Sequence, residues 1–387
     1  MLRSLFRCLL VVLPLFSLVA PHAGLAQVAP PTIAARSWLL LDATTGQVLA
    51  SHEPDTKVEP ASLTKVMTAY LAFNALKEKR ITPEQRPAVS TAAWKAIGSR
   101  MFVDPAKPAT VEELLNGMIV QSGNDASIVL AEALAGSEAS FAEQMNLEAQ
   151  RLGMRNTQFR NATGLPHPEH YTTARDLAIL ASRLIADHPE HYALYSKREY
   201  TFNNIRQPNR NRLLAIDPSV DGMKTGHTEA AGYCLIASAH RKQAGLDVER
   251  RLISVVLGTS SESARAIESQ KLLNYGYQNF DAVRIYGKDQ PAGRYEVFKG
   301  KSATIPGGVE GGLLAAVPRG QADKVRAEIE RIQPLVAPIA QGQRIGTLRV
   351  KVDDRLLLER PLLALEGVEA AGWLRRTWDG VRMMMSR

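Results

Sequence analysis

Apolar positions along the chain follow two rhythms. Ser37 to Leu41 and Gln47 to Ser51 are apolar runs on either side of Asp42-Ala43-Thr44-Thr45-Gly46, which predicts a β-hairpin with Gly46 at its turn. A long zone at helical spacing follows. Leu63, Val66, Met67, Tyr70 and Leu71 share one face, as do Val111, Leu114, Leu115, Met118 and Ile119, and then Leu177, Leu180 and Leu184. Tyr233 to His240 and Leu252 to Gly258 return to β-branched and apolar runs, joined through the polar Arg241-Lys242-Gln243-Ala244-Gly245. An amphipathic helix with Ala266, Ile267, Leu272, Leu273 and Tyr277 comes next. Strands at both ends of a helical middle imply an α+β unit, helices packed on an antiparallel sheet, over 27–282.

Around Ile285 to Pro291 the pattern changes to short strand-like stretches broken by Gly and Pro: Tyr295 to Phe298, Leu313 to Val317, Val325 to Ile329 and Gly346 to Val352. Their spacing predicts a small all-β sandwich over 283–365. It carries no cluster of acid, base and nucleophile, so a spacer or docking role is expected. In the tail, 366–387, Leu374, Trp378, Val381 and Met385 recur at helical spacing opposite Arg375, Arg376, Asp379 and Arg382. Such a helix either docks on its own protein or lies in the plane of an anionic membrane surface, and its Arg excess and terminal position favour the membrane.

The first residues refine the picture. Arg3 and Arg7, an apolar run from Cys8 to Ala20 and small residues ending at Ala26 have the layout of a secretory signal peptide over 1–26, and the run is shorter than the roughly 20 residues of a spanning helix. The expected site is the periplasmic face of the inner membrane, with peripheral attachment. Cys8 leaves with the leader, so Cys234 has no intramolecular disulfide partner. The formal charge of +8 includes two leader arginines and is mild for 387 residues, which argues against nucleic acid as the main partner.

Three short motifs carry candidate chemistry. Ser62 and Lys65 stand three residues apart at the start of a helical pattern after Pro60, which puts a hydroxyl and an amine on one face. A free lysine, with pKa about 10.4, cannot accept a proton at neutral pH, but burial beside other cations lowers it. Ser122-Gly123-Asn124 falls between two helical runs, and Lys224-Thr225-Gly226 leads into the Tyr233 strand. Taken singly, these are a helix cap with a solvated lysine, an inter-helix cap and an edge strand.

As an ordered set, Ser-x-x-Lys, Ser-x-Asn and Lys-Thr-Gly match the signature of penicillin-binding proteins and class A β-lactamases. With Gln121 to Ala126, Tyr171 to Leu177 and Asp221 to Thr228, the chain resembles the low-molecular-mass penicillin-binding proteins, serine D-alanyl-D-alanine carboxypeptidases, from about Pro30 onward. The resemblance implies a penicillin-binding/β-lactamase-like transpeptidase fold, a small all-β domain and a C-terminal amphipathic helix. It also implies removal of the C-terminal D-alanine from peptidoglycan stem peptides ending in D-Ala-D-Ala, and covalent inhibition by β-lactam antibiotics.

By that resemblance Ser62 is the nucleophile, Lys65 the base, and Ser122 with Lys224 the route for a proton to the departing amine. Asn124 holds the substrate amide, the backbone N–H groups of Ser62 and His227 form the oxyanion hole, and Lys224, Thr225 and Arg265 receive the terminal carboxylate beside Gly226. Arg210, in Asn209-Arg210-Asn211, is either a further cation at the cleft or a surface arginine. Thr163 fills a loop position where some relatives carry His, and no Glu-x-x-x-Asn deacylation segment lies between Leu134 and Ser182. No metal or cofactor is implied. The other classes are a β-lactamase-like hydrolase, a noncatalytic wall-binding protein and a zinc enzyme, the last raised by His-Pro-Glu-His at His167 and again at His188 but opposed by the proline inside each.

Overall fold

A computed structural model describes residues 29–385, and the expected leader, 1–26, lies outside them. The chain opens with the expected hairpin, β1 (Ser37–Asp42) and β2 (Gln47–His52). Ser62 follows in a 3₁₀ turn, Ala61–Thr64, that runs directly into α1 (Lys65–Lys77). The helical lobe continues with α2 (Asn124–Ala135), α3 (Glu138–Leu152) and α4 (Ala174–Asp187). A short hairpin, β3 (Glu199–Phe202) and β4 (Ile205–Pro208), leads to β5 (Val220–Thr228), β6 (Gly232–Arg241) and β7 (Arg250–Thr259), and α5 (Glu262–Asn279) closes the lobe.

The main sheet is antiparallel in the order β2-β1-β7-β6-β5. Successive side chains of a strand point to opposite faces, and here both faces are covered. Leu39, Leu41, Ile253, Val255 and Leu257 join the core under the helical lobe. Leu40, Leu252 and Val256 face the other way, onto Ala266, Leu272 and Leu273 of α5. Two-sided burial explains why these strands read as continuous apolar runs rather than as alternation. It leaves β5, which carries Lys224 to Gly226, as one edge of the sheet, open to an extended ligand.

The second domain begins within β8 (Phe280–Tyr286) and contains β9 (Gly293–Glu296), β10 (Thr304–Gly308), β11 (Leu313–Pro318), β12 (Val325–Arg331), β13 (Arg344–Val352) and β14 (Arg355–Ala364). One sheet has the order β12-β13-β14-β10-β9, and β11 pairs with β8. Leu313, Ala315 and Val317 of β11 share a core with Leu348, Val350 and Leu358. Like β8, two further strands, β10 and β14, have no counterpart in the apolar pattern. Pro306, Gly307 and Gly308 interrupt the first, and Glu359, Arg360 and Pro361 break the apolar run of the second.

Chain 366–371 remains part of this domain. Val368 is buried and bridges Ile339, and Ala370 bridges Gly300, so the boundary expected after Leu365 lies near Gly372. The last helix, α6, spans Trp373–Met385. Where the two domains meet, Arg250 of β7, buried and paired through Nε with Asp42 Oδ2 of β1 at 2.8 Å, also donates to the carbonyl of Phe280, the first residue of β8.

Candidate active site

Backbone geometry presents Ser62, the nucleophile expected from the sequence. Ala61 has φ of 47°, a left-handed conformation unusual for a residue with a side chain, and Ser62 turns from it into the helical lobe while staying partly exposed. Across the cleft, the helical turn Gly117–Gln121 widens to π geometry and ends at Ser122, also left-handed with φ of 69°. Widened turns of this kind concentrate at functional sites because they re-aim the next side chain. Asp125 locks the result, since its carboxylate accepts from the backbone N–H groups of Met101, Phe102 and Val103 and fixes that loop against the Ser-Gly-Asn turn.

Lys65 is fully buried behind Ser62. Its Nζ lies 3.0 Å from Ser62 Oγ, 2.7 Å from Asn124 Oδ1 and 2.6 Å from the Thr163 carbonyl, so every ammonium hydrogen has an acceptor. Burial, helped by the positive charge of Arg210 and opposed by Asp125 and Glu138, brings its pKa down to about 7. With the proton removed, two N–H groups still satisfy Asn124 and Thr163 and the lone pair faces Ser62 Oγ. That is the arrangement a general base needs.

Lys224 is also buried, and its Nζ donates to Ser122 Oγ at 2.9 Å and to the Thr225 carbonyl at 3.0 Å. Burial, then Lys65, Arg210 and Arg265, hold its pKa well below the usual lysine value. Thr225 and Gly226 continue β5 as buried residues, whereas the His227 side chain is exposed and lies on Tyr233, with ring centroids 4.0 Å apart. Arg265 is buried on α5, and its Nη1 donates to the Gly226 carbonyl at 3.3 Å. Arg210 is exposed, yet its positive charge helps lower the pKa values of Lys65, Lys224 and Arg265, so it lies near the cleft. Asn124 has a second task besides Lys65, donating through Nδ2 to the Ile97 carbonyl.

Several contributors to the site are backbone groups or neighbours that motif reading misses. The Thr163 carbonyl reaches Lys65 only because Asn161 Oδ1 accepts from Thr163 and Gly164, Glu138 accepts from Ala162 N, and Thr68 donates to the Ala162 carbonyl. Gly164 has φ of 84°, and a Cβ there would come within 1.8 Å of the Ala61 carbonyl oxygen beside the nucleophile. The His-Pro-Glu-His segments serve packing. His170 Nε2 bonds Thr64 Oγ1, His188 Nε2 bonds Asn74 Oδ1, and among the described residues no three His, Cys, Asp or Glu side chains gather as a metal site.

A serine hydroxyl beside a buried lysine amine, facing a second Ser and Lys pair across the edge of an antiparallel sheet, is the arrangement of the class of serine acyl-transfer enzymes that work without a catalytic histidine. Residues 25–261 match the family described as D-alanyl-D-alanine carboxypeptidase, and 280–370 match the C-terminal domain of penicillin-binding protein 5. The chain belongs to the D-alanyl-D-alanine carboxypeptidase family and is a serine-type D-Ala-D-Ala carboxypeptidase.

Among its relatives, D-alanyl-D-alanine carboxypeptidase DacC of Escherichia coli K12 is 42% identical over 377 residues, 95% of this chain and 92% of the relative. DacA of Haemophilus influenzae is 37% identical over 91% of this chain and 90% of its own. The crystal structure of penicillin binding protein 5 from Haemophilus influenzae superposes with a TM-score of 0.83 at 38% identity, over 88% of this chain and 99% of that one. Penicillin-binding protein D2 of Listeria monocytogenes in its ampicillin-bound form matches 64% of this chain and 99% of that one, with a TM-score of 0.58 at 30% identity.

Proposed function

We propose that Ser62 attacks the carbonyl between the two terminal D-alanines of a peptidoglycan stem while neutral Lys65 accepts its proton. The observation that carries this reading is the Lys65 Nζ to Ser62 Oγ contact of 3.0 Å at a buried amine whose pKa is about 7. The tetrahedral oxyanion is held by the backbone N–H groups of Ser62 and His227; loss of one such donor typically costs about 10²- to 10³-fold in rate. Ser122, hydrogen-bonded to Lys224, passes a proton to the departing D-alanine amine, and a hydroxyl suits this because it both accepts and donates. Asn124 steadies the substrate amide. Thr225, Lys224 and Arg265 receive the terminal carboxylate. Water then hydrolyses the ester and frees Ser62.

A β-lactam opens on Ser62 by the same attack, so one experiment tests nucleophile and activity together. After brief exposure to penicillin, the intact mass of the protein should rise by one adduct carried on the Ser62 peptide, and D-alanine should be released from a pentapeptide. Ser62→Ala should lose both and keep its melting temperature. An adduct retained in that variant overturns the nucleophile, and rapid turnover of penicillin favours a β-lactamase instead.

The same reading has the protein exported and held at the periplasmic face of a membrane by α6. No helix among the described residues is long and apolar enough to cross one. Support comes from the way α6 docks. Its polar side meets the β domain: Asp379 is buried and accepts from Lys299 N at 2.6 Å, Arg375 donates to the Lys301 carbonyl, and Arg382 pairs with Glu296. Its apolar side faces out, with Trp373 75%, Trp378 66% and Met384 74% exposed. A helix docked for its own protein's stability buries the opposite face. Outward Trp, Val381 and Met suit the interface of an anionic bilayer.

A further inference from the structure

Arg265 is anchored before any substrate arrives. Its guanidinium lies over the Tyr233 ring at 5.6 Å, Nη1 donates to the Gly226 carbonyl, and Nη2 donates to Glu262 Oε1 at 3.1 Å. Glu262 sits one turn earlier in α5. Its other oxygen accepts from Arg212 Nη2 at 3.1 Å, and Arg212 is an exposed residue with no part in the chemistry above. The group proposed to read the substrate's carboxylate therefore already holds a carboxylate of its own. Nε and one hydrogen on each Nη stay available for a second, bidentate one.

The geometry points to Glu262 as a positioning residue that fixes the Arg265 fork and lowers its attraction for the terminal carboxylate of substrate and product. This rests on Arg265 being the carboxylate reader. Two physical effects act together. The Nη2 to Oε1 bond holds the guanidinium plane so that its free edge faces the cleft. The Glu262 charge also repels the incoming carboxylate, because both anions share one cation. D-Alanine departs with the same carboxylate that brought the substrate in, so weaker retention of that group shortens its stay. Arg212 acts in the opposite sense, since its charge offsets part of that of Glu262.

The test compares three variants of the full chain on a D-Ala-D-Ala pentapeptide and its C-terminal amide, with inhibition by free D-alanine as a third readout. Glu262→Gln keeps an oxygen for Nη2 and removes the charge. It should lower KM for the free acid about threefold to tenfold, the range expected of a partly exposed ion pair, tighten D-alanine inhibition by a similar factor and leave the amide unchanged. Arg212→Gln should move KM for the acid the other way. Glu262→Ala loses the orienting bond as well, and its kcat/KM for the acid should fall below that of the Gln variant.

If Glu262→Gln shifts acid and amide alike, or shifts neither, the charge role is overturned. If Ala behaves as Gln does, the orienting role is overturned. Arg265→Ala separates the underlying reading, because it should abolish the preference for acid over amide. A preference that survives in that variant means that Arg265 does not read the carboxylate, whatever Glu262 does.

Discussion

Lys65 Nζ stands 2.6 Å from the carbonyl oxygen of Thr163, closer than it stands to Ser62. The proposed base is therefore held by a loop ninety-eight positions further along the chain as well as by its own helix. A neutral amine keeps this bond and still has a lone pair for the hydroxyl, which makes its protonation state the control on acylation.

The pH dependence of acylation follows. Only neutral Lys65 accepts the Ser62 proton, and its pKa is about 7, so the second-order rate of penicillin acylation should climb roughly tenfold per unit below pH 7 and level off above it. Lys65→Arg, whose side chain stays charged, should lose acylation at every pH. A wild-type rate that is flat from pH 5 to 9 would show that Lys65 is not the titrating base.

Gly164→Ala should damage the site without touching a catalytic side chain. The new methyl group would meet the Ala61 carbonyl at 1.8 Å, and φ of 84° disfavours any side chain. Strain of this order costs about 1–3 kcal/mol and displaces the turn that presents Ser62. Both melting temperature and acylation rate should fall, the latter by about 100-fold or more. Unchanged acylation would mean that the loop and the nucleophile move independently.

Acid should weaken the fold partly through His170. The ring is buried against Phe159 with Nδ1 unpartnered, and burial first, then His167 and Arg160, lower its pKa to about 4. Between that value and the unfolded value near 6.5, the unfolded chain binds the extra proton. The contribution is thus complete above about pH 6.5 and is lost as the pH falls to about 4, amounting to about 3 kcal/mol at most. Urea midpoints measured from pH 7 to 4.5 should fall less in His170→Gln than in the wild type. Parallel slopes would remove His170 from the account.

Membrane attachment can be tested without harming the β domain by ending the chain after Gly372, since Val368 belongs to that domain's core. The shortened protein should stay in solution when anionic vesicles are floated and keep its turnover of small peptides. Val381→Glu should weaken binding, and high salt should weaken it further. Equal flotation of full and shortened chains would assign α6 to docking alone.

Periodicity made the first lobe legible because strands covered on both faces and helices with apolar stripes leave plain patterns. The three motifs were equally plain, since side-chain chemistry is written in residue types. Much of the support was not. Thr163 contributes a carbonyl that any residue possesses, and Asp125 acts on backbone N–H groups of a loop more than twenty positions away. Neither has a local signature. In the β domain, β10 contains Pro306, Gly307 and Gly308 and survives as a strand only because β9 and β14 flank it. Glu262 reads as an ordinary first-turn acid of a helix, and only Tyr233 and Arg212, brought in from other elements, give it a second meaning.

The buried joint between Arg250, Asp42 and Phe280 bears on how the two domains could be exchanged between relatives. Arg250 belongs to β7, yet one of its acceptors is the first backbone carbonyl of β8. A chimera spliced before Phe280 would ask a foreign backbone to accept from a buried guanidinium, and a mismatch there leaves Nη1 without its acceptor while the Asp42 pair remains, a loss of about 1–3 kcal/mol. A splice after Tyr286 carries the acceptor along with its donor, although it divides the β8–β11 pair. Modular as the chain looks along its length, its natural seam lies inside a strand rather than in a linker.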